Sequence, residues 1–406
     1  MSAMPNGPSP KFTNDIVVIG GGGHVGLPLA IAFADRGARV VIYDISQQAV
    51  DVINNGELPF VEPGAEELLN KGLAAGRILA STDPAVVATA ENLVVVVGTP
   101  VDEHLNPDPR AIPRALAQCA PFFRDGQLLV LRSTVYPGVT ALVERMIKEL
   151  GVDIDVAFCP ERIAEHRAMI ELFTLPQIVS SRTDQGLKRA ESLFRLLTET
   201  LVPLEPEEAE LAKLFTNSWR YIKFAAANQF YMMANDRGLD FERIRAALTL
   251  DYPRAADLPG AGFAAGPCLF KDTMQLAAFS DNLFALGHSA MLVNEGLPLY
   301  LVSRLQERFD LAEMTVGILG MAFKGGSDDI RSSLSYKLRR VLSFKAHEVL
   351  TTDPYVTVDR DLLPFAEVLE RADLVIIAAP HPEYRDLATD KPVADIWNLM
   401  GNGVRV

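Results

Sequence analysis

Ile16-Val17-Val18-Ile19-Gly20-Gly21-Gly22-Gly23-His24-Val25-Gly26 is the stretch from which the rest of the chain is read. A short apolar run, Ile16 to Gly20, meets a run of four glycines. A helical pattern then opens at Gly26 and continues through Leu29, Ala30, Ala32, Phe33 and Ala34. Only Gly21, Gly23 and Gly26 satisfy the register G-x-G-x-x-G. The first glycine permits a tight turn, the second lets the backbone approach a pyrophosphate, and the third allows close contact between helix and strand. The turn residues His24 and Val25 lead into a helix N-terminus whose partial positive charge faces the phosphates. A second apolar run, Arg39 to Asp44, ends in a carboxylate suited to the adenosine ribose hydroxyls and repulsive to a 2′-phosphate. NAD is therefore expected in preference to NADP.

Further apolar runs follow at Leu93–Gly98, Leu128–Leu131, Asp155–Phe158 and Gln177–Ser180, with helical stretches between them. Continuous apolar strands alternating with helices indicate a parallel sheet covered on both faces. The expected fold class is α/β, with an N-terminal Rossmann-type doubly wound sheet over residues 15–204. Residues 1–14 are polar and Pro-rich and read as a flexible tail. From Pro206 to Arg237 there is no further Gly or Pro, and Leu211, Leu214, Phe215 and Ser218 recur at helical spacing. Shorter helices are expected at Asp240–Thr249, Asp272–Phe279 and Met291–Arg308. Residues 205–310 thus form a central all-helical segment, suited to dimerisation. Strand candidates at Val316–Gly320, Glu348–Leu350 and Leu374–Ala378 mark a C-terminal Rossmann-like α/β domain over 311–406.

The 406 residues are 49% hydrophobic, enough for two or three cores, and the formal net charge of −14 predicts a mostly acidic surface. Such a surface argues against nucleic-acid binding. No apolar run approaches the ~20 residues of a membrane span, and the start lacks the order of a secretory signal. The three cysteines, Cys119, Cys159 and Cys268, form no C-x-x-C pair. A disulfide framework or zinc site is not expected, and a reducing cytoplasm fits best.

Several polar groups stand in apolar surroundings at strand ends: Gly98-Thr99-Pro100, Arg132-Ser133-Thr134, and Cys159-Pro160-Glu161-Arg162. Doubly wound sheets place ligands there. Lys213 and Asn217 lie four apart on one face of the long helix. Cys268, Lys271 and Asp272 put a thiol, an ammonium and a carboxylate within five residues. A thiol nucleophile is not needed to take an alcohol to an aldehyde. It is needed to carry an aldehyde on to an acid, because the aldehyde must be trapped before a second hydride leaves. Taken singly, these residues have ordinary readings. Lys213 and Glu210 would be solvent charges, Asn217 a satisfied helix contact, and Asp328, Asp329 and Arg331 a surface loop. Cys119 and Cys159 read as packing residues. His104, His288, His347 and His381 are scattered, and no pair shows metal-ligand spacing.

Together, the ordered motifs resemble the UDP-glucose/GDP-mannose dehydrogenase family of nucleotide-sugar 6-dehydrogenases from Ile16 to about Asn398. They are the Gly-His-Val-Gly-Leu-Pro turn, Ser-Thr-Val-Tyr-Pro-Gly, Pro-Glu-Arg-Ile-Ala-Glu, Glu-Leu-Ala-Lys-Leu-Phe-Thr-Asn, Pro-Cys-Leu-Phe-Lys-Asp and Gly-Met-Ala-Phe-Lys-Gly-Gly-Ser-Asp-Asp-Ile-Arg. The resemblance implies an NAD-dependent four-electron oxidation of C6 of a nucleotide-activated hexose to the uronate. It implies Cys268 as the nucleophile, forming a thiohemiacetal and then a thioester. It assigns Lys213 and Asn217 to stabilising charge on the C6 oxygen, Asp272 to proton transfer through a water, and Thr134 and Glu161 to holding that water. The cofactor would be met by Gly21, Gly23, His24, Val25, Gly26, Asp44, Thr99 and Thr134. The nucleotide sugar would be met by Glu161, Lys213, Asn217, Gly266, Phe323, Lys324 and Arg331, with Arg254 and Phe263 less clearly aligned. A homodimer and a role in polysaccharide biosynthesis are further implications.

The chain departs from the family pattern at three places. Pro267 stands just before the nucleophile, His166 stands where many members have Gly, and His24 replaces a usual Tyr. Some motifs resemble enzymes for UDP-N-acetylhexosamines and Cys-Leu-Phe-Lys-Asp resembles those for UDP-glucose, so the sugar stays open. Two other readings compete: a two-electron β-hydroxyacid-type dehydrogenase, which needs neither Cys268 nor a third domain, and a non-catalytic nucleotide-sugar-binding protein.

Overall fold

A computed structural model describes residues 12–99, 101–102 and 107–403. Pro100, His104 and residues 1–11 of the expected tail lie outside the described residues. The chain divides into two compact units, one ending at Leu214 and the next beginning at Phe215.

The first unit is built on a six-stranded sheet of β1 (Asn14–Ile19), β2 (Val40–Tyr43), β3 (Ile78–Ser81), β4 (Ala90–Val95), β5 (Leu128–Leu131) and β6 (Asp155–Phe158). Its spatial order is β3-β2-β1-β4-β5-β6 and every pairing is parallel. The order reverses between β1 and β4, where open α/β sheets bind ligands at their carboxyl ends. A separate parallel pair, β7 (Gln177–Ser180) and β8 (Leu201–Leu204), follows. The strands are continuously apolar because alternate residues feed two different cores. Ile16, Val18, Val40, Ile42, Val94, Leu128 and Val130 pack into one, with the helix Gly26–Asp35. Val17, Ile19, Val41, Leu93, Val95, Leu129 and Leu131 pack into the other, with Val139, Val143 and Ile147 of the helix Val139–Leu150.

The second unit holds a four-stranded parallel sheet in the order β10-β9-β11-β12. These are β9 (Thr315–Leu319), β10 (Glu348–Thr352), β11 (Leu374–Ile377) and β12 (Val393–Asp395). Val316 and Ile318 face a core shared with Leu297, Leu301 and Leu305 of the helix Ala285–Gln306, while Leu319, Val375 and Ile377 face Val368 and Tyr384.

The long helix spans Pro206–Asn235 and carries residues of both units. Leu214 and Ser218 are buried, but Phe215 is exposed, since adjacent helical positions diverge by about 100°. The helix expected at Asp272–Phe279 begins earlier, at Leu269, with Cys268 as its N-cap. The Asp272 amide donates to the Cys268 carbonyl at 2.9 Å, so Asp272 sits in the first turn, where the helix dipole favours a carboxylate. No described helix is long and apolar enough to cross a membrane.

Candidate active site

The glycine turn is shaped by close approach. A Cβ on Gly26 would lie 2.6 Å from the Gly21 Cα, and one on Gly21 would lie 2.9 Å from the Val18 carbonyl. Around Gly23 a Cβ would meet nothing within 4 Å, so the space above it is open for a ligand. Asp44, at the end of β2, accepts from the Gly22 amide at 2.8 Å on one oxygen and from the Ser46 amide at 3.0 Å on the other. Remaining lone pairs on this half-exposed carboxylate suit two ribose hydroxyls. His24 packs its ring on Phe60 at 4.0 Å and places Nδ1 3.0 Å from Glu165. Val25 forms the helix N-cap without a side-chain cap bond.

The tails of β4 and β5 are laced together. Thr99 Oγ1 donates to the Thr134 carbonyl at 2.6 Å, and Ser133 Oγ donates to the Val97 carbonyl at 2.7 Å. Glu161, past the end of β6, is buried and pairs with the fully buried Arg132. Its other oxygen accepts from the Arg162 and Ile163 amides at 2.7 and 2.8 Å. Arg132 is held in turn by the Cys159 carbonyl at 3.1 Å and Gln177 at 3.0 Å, with its guanidinium over the Phe194 ring. Glu161 is therefore a fixed acceptor rather than a mobile side chain.

On the long helix, neither Glu210 nor Lys213 is a solvent charge. Glu210, 1% exposed, accepts from the Gly138 and Thr140 amides and the Thr140 hydroxyl, at 2.6, 2.8 and 2.6 Å. It thereby caps the helix Val139–Leu150. Lys213 is 8% exposed, and among the described residues no carboxylate pairs with it.

In the second unit Cys268 is exposed and forms the N-cap of the helix Leu269–Phe279. The other two thiols differ. Burial pushes Cys159 up to about 12 and Cys119 up to about 11, leaving both as packing groups. One turn past Cys268, Asp272 is fully buried. One oxygen accepts from Asn217 Nδ2 at 2.5 Å, and the other lies 3.5 Å from Lys271 Nζ. Gly266 has φ +103°, and a Cβ there would lie 2.6 Å from the Phe323 ring, so only glycine admits that contact. Lys324 Nζ lies 5.4 Å from the centre of the same ring. Arg331 is half out in solvent, its guanidinium clasped by buried Asp329 at 2.5–3.0 Å. Asp329 is thus more than a surface-loop residue.

The two less clear assignments, Phe263 and Arg254, both belong to the second unit. Phe263 is 3% exposed and meets Trp397 edge-on at 6.5 Å, as part of the core. Arg254 is exposed and lies against Tyr252, its Nη1 3.3 Å from the hydroxyl.

Family models of the UDP-glucose/GDP-mannose dehydrogenase family match the chain in three successive parts. The NAD binding domain matches residues 14–198, the central domain 207–295, and the UDP binding domain 317–402. The chain belongs to this family. It is 31% identical to the UDP-N-acetyl-D-mannosamine dehydrogenase of Pyrococcus horikoshii, over 96% of this chain and 93% of the relative. It is 30% identical to the NDP-N-acetyl-D-galactosaminuronic acid dehydrogenase of Ralstonia solanacearum, over 91% of each chain. The solved UDP-glucose dehydrogenase of Pyrobaculum islandicum superposes with a TM-score of 0.89 at 28% identity, covering 100% of this chain and 99% of that one.

As a family member the protein is an NAD-dependent nucleotide-sugar dehydrogenase. The open space at Gly23, the close-packed Gly26 and the Asp44 carboxylate fit NAD. The structure also explains one departure from the family pattern. His166 has φ +66°, a conformation that glycine takes freely and histidine adopts at a cost, here secured by its amide bond to Glu62 at 3.0 Å. The buried contacts of Arg132, Glu62 and the Asp353–His381 pair escaped sequence reasoning. For Asp353 a signal existed: like Asp44, it follows the strand adjacent to the first strand of its sheet.

Proposed function

We propose that the protein oxidises C6 of a UDP-activated N-acetylhexosamine to the uronate in two hydride steps, with a covalent intermediate on Cys268. The observation that carries this reading is an exposed thiol at a helix start whose first turn holds a buried carboxylate bonded to Asn217. Neither a two-electron dehydrogenase nor a passive binder needs that arrangement. The names of the Pyrococcus and Ralstonia relatives favour an acetamido sugar, while the Pyrobaculum structure keeps UDP-glucose as the second choice.

Bound NAD would supply the hydride acceptor for each oxidation. In the first, C6 loses a hydride and its hydroxyl a proton. Asp272 takes that proton through a water, and Lys213 and Asn217 stabilise charge on the oxygen. The Cys268 sulfur then bonds to the aldehyde carbon, and the oxygen gains a proton to give a thiohemiacetal. Loss of a second hydride and that proton leaves a thioester. Water, held by Thr134 and the fixed Glu161, attacks the carbonyl. The carbon–sulfur bond breaks, the thiolate is released and the uronate forms. The balance is one alcohol, one water and two NAD to one carboxylate, two NADH and three protons.

For cofactor contacts we propose Gly21, Gly23, His24, Val25, Gly26, Asp44, Thr99 and Thr134. For the nucleotide sugar we propose Glu161, Lys213, Asn217, Gly266, Phe323, Lys324 and Arg331, with Arg254 and Phe263 secondary. The division proposed is 15–204 for NAD, 205–310 for the centre and 311–406 for the UDP-sugar. A homodimer is proposed from Phe215, Trp219, Phe230 and Met233, exposed along the long helix at spacings that keep them near one face. A reducing cytoplasm suits a chain whose three cysteines form no disulfide among the described residues.

Assay of the purified protein with NAD and UDP-N-acetylhexosamines should yield two NADH per sugar consumed. One NADH per sugar would favour the two-electron reading. Cys268→Ser should abolish uronate formation with NAD binding intact; full turnover by this variant would remove the covalent step.

A further inference from the structure

After β9 the chain runs from Gly320 to Ser333 before the helix Leu334–Leu342 begins. This loop carries Phe323, Lys324, Gly325 and Gly326. It is fastened from behind by His381, which follows β11 and is fully buried. The Gly326 amide donates to His381 Nδ1 at 3.0 Å, and His381 Nε2 lies 2.9 Å from Asp353 Oδ2. A backbone amide can only donate, so Nδ1 is the bare nitrogen. The imidazole proton therefore sits on Nε2 and is given to the carboxylate. A Cβ on Gly325 would overlap the Pro380 carbonyl oxygen, so the glycine pair lies directly on the Pro380–His381 segment.

Asp353 is itself locked in place. Oδ2 also accepts from the Met321 and Ala322 amides at 2.6 and 3.0 Å, and Oδ1 accepts from the Tyr355 and Val356 amides at 2.8 and 3.0 Å. Around the imidazole stand the rings of Tyr355 at 5.1 Å and Tyr384 at 5.6 Å, and the Tyr355 hydroxyl is bonded to Glu383. Every polar atom of the His381 ring and of the Asp353 carboxylate has a defined partner. A fully satisfied buried polar network of this kind rigidifies the segment it holds.

We infer that Asp353 and His381 are positioning residues for nucleotide-sugar binding. Asp353 fixes the imidazole tautomer, His381 Nδ1 fixes the Gly326 backbone, and that backbone sets where Phe323 and Lys324 reach. The inference rests on the proposal above that this loop meets the UDP-sugar. Neither residue touches the ligand or the reacting carbon. Loss of the relay therefore weakens nucleotide-sugar binding while leaving NAD binding and the chemical steps in place.

The test is calorimetric titration of the full chain with UDP and, separately, NAD. His381→Leu removes both ring nitrogens. His381→Asn keeps an oxygen near the Nδ1 position, able to accept from Gly326. The expected result is a UDP dissociation constant raised about tenfold or more in His381→Leu, as for loss of a positioning hydrogen bond, and largely restored in His381→Asn. NAD affinity should match wild type in both, and in turnover KM for the UDP-sugar should rise with kcat little changed. Wild-type UDP affinity in His381→Leu, or equal losses in the two variants, overturns the relay alone. Absence of UDP binding by the wild-type protein overturns the reading of the loop. Nitrogen-15 NMR of the wild-type protein tests the relay without any variant: a proton on Nε2 at neutral pH supports it, and one on Nδ1 overturns it.

Discussion

In the first sheet the chain leaves β1 at Gly20 and enters a helix at Gly26; in the second it leaves β9 at Gly320 and reaches a helix only at Leu334. Both turns begin with a glycine at positive φ, and both are held by an aspartate from the end of the adjacent strand. The two aspartates are used differently. Asp44 bonds two amides and stays half-exposed, while the Asp353 side chain is fully buried under four amides and an imidazole. A short turn leaves its carboxylate and helix N-terminus open to a dinucleotide. A long loop cannot hold itself, and its carboxylate is consumed in holding it. One topology thus yields a ligand-facing turn in one half and a buttressed loop in the other.

The comparison breaks most sharply at the two aspartates. Asp353→Ala should cost about 3–5 kcal/mol of stability, the range for stripping one partner from a buried charged network. Denaturant unfolding of the purified variant measures it; a loss below about 1 kcal/mol would mean the buried carboxylate is not a structural anchor. At Gly26 the consequence is local. Gly26→Val must displace the Gly21 backbone, and NAD affinity should fall about 100-fold, as for loss of an optimised backbone approach. Titration with NAD reads this, and an unchanged dissociation constant would show the turn to be deformable. Asp44→Asn should weaken NAD about tenfold, narrow the preference over NADP, and leave stability within about 1 kcal/mol. Equal stability losses at Asp44 and Asp353 would erase the distinction between the two turns.

The smallest effect lies in acid. Burial works against the Asp353 charge, but the bond from His381 and the Ala322 and Tyr355 amides hold the carboxyl below its ordinary value. Its folded pKa is thus depressed, so its contribution is fully present above about pH 4 and is lost as pH falls through the folded value. The stability gap between wild type and Asp353→Asn should therefore be constant near neutrality and close in acid. Unfolding curves at several pH values check this, and a gap that widens in acid would reverse the assigned shift.

The strands were legible because a doubly covered parallel sheet demands apolar side chains on both faces. Leu128–Leu131 and Asp155–Phe158 stand where the pattern put them, while Gln177–Ser180 is a strand but pairs with β8 outside the six-stranded sheet. The short β3, β8 and β12 were not marked: Leu79 and the central residues of β8 face solvent, so their apolar runs are broken or mixed. Helix starts were blurred where no Ser, Thr, Asp or Asn caps them, as at Cys268 and Phe284.

The chain's own order of residues determined the glycine turn, the preference for NAD, the three-part layout and the family, because each depends on neighbours along the backbone or on motifs in sequence. Tertiary structure alone decided which charges are buried and what holds them. Arg132 finds Gln177 across 45 residues, Glu210 finds Gly138 across 72, and His381 finds Asp353 across 28. An ionisable side chain survives out of water only when distant partners arrive to satisfy it, and which partners arrive is settled by packing rather than by spacing.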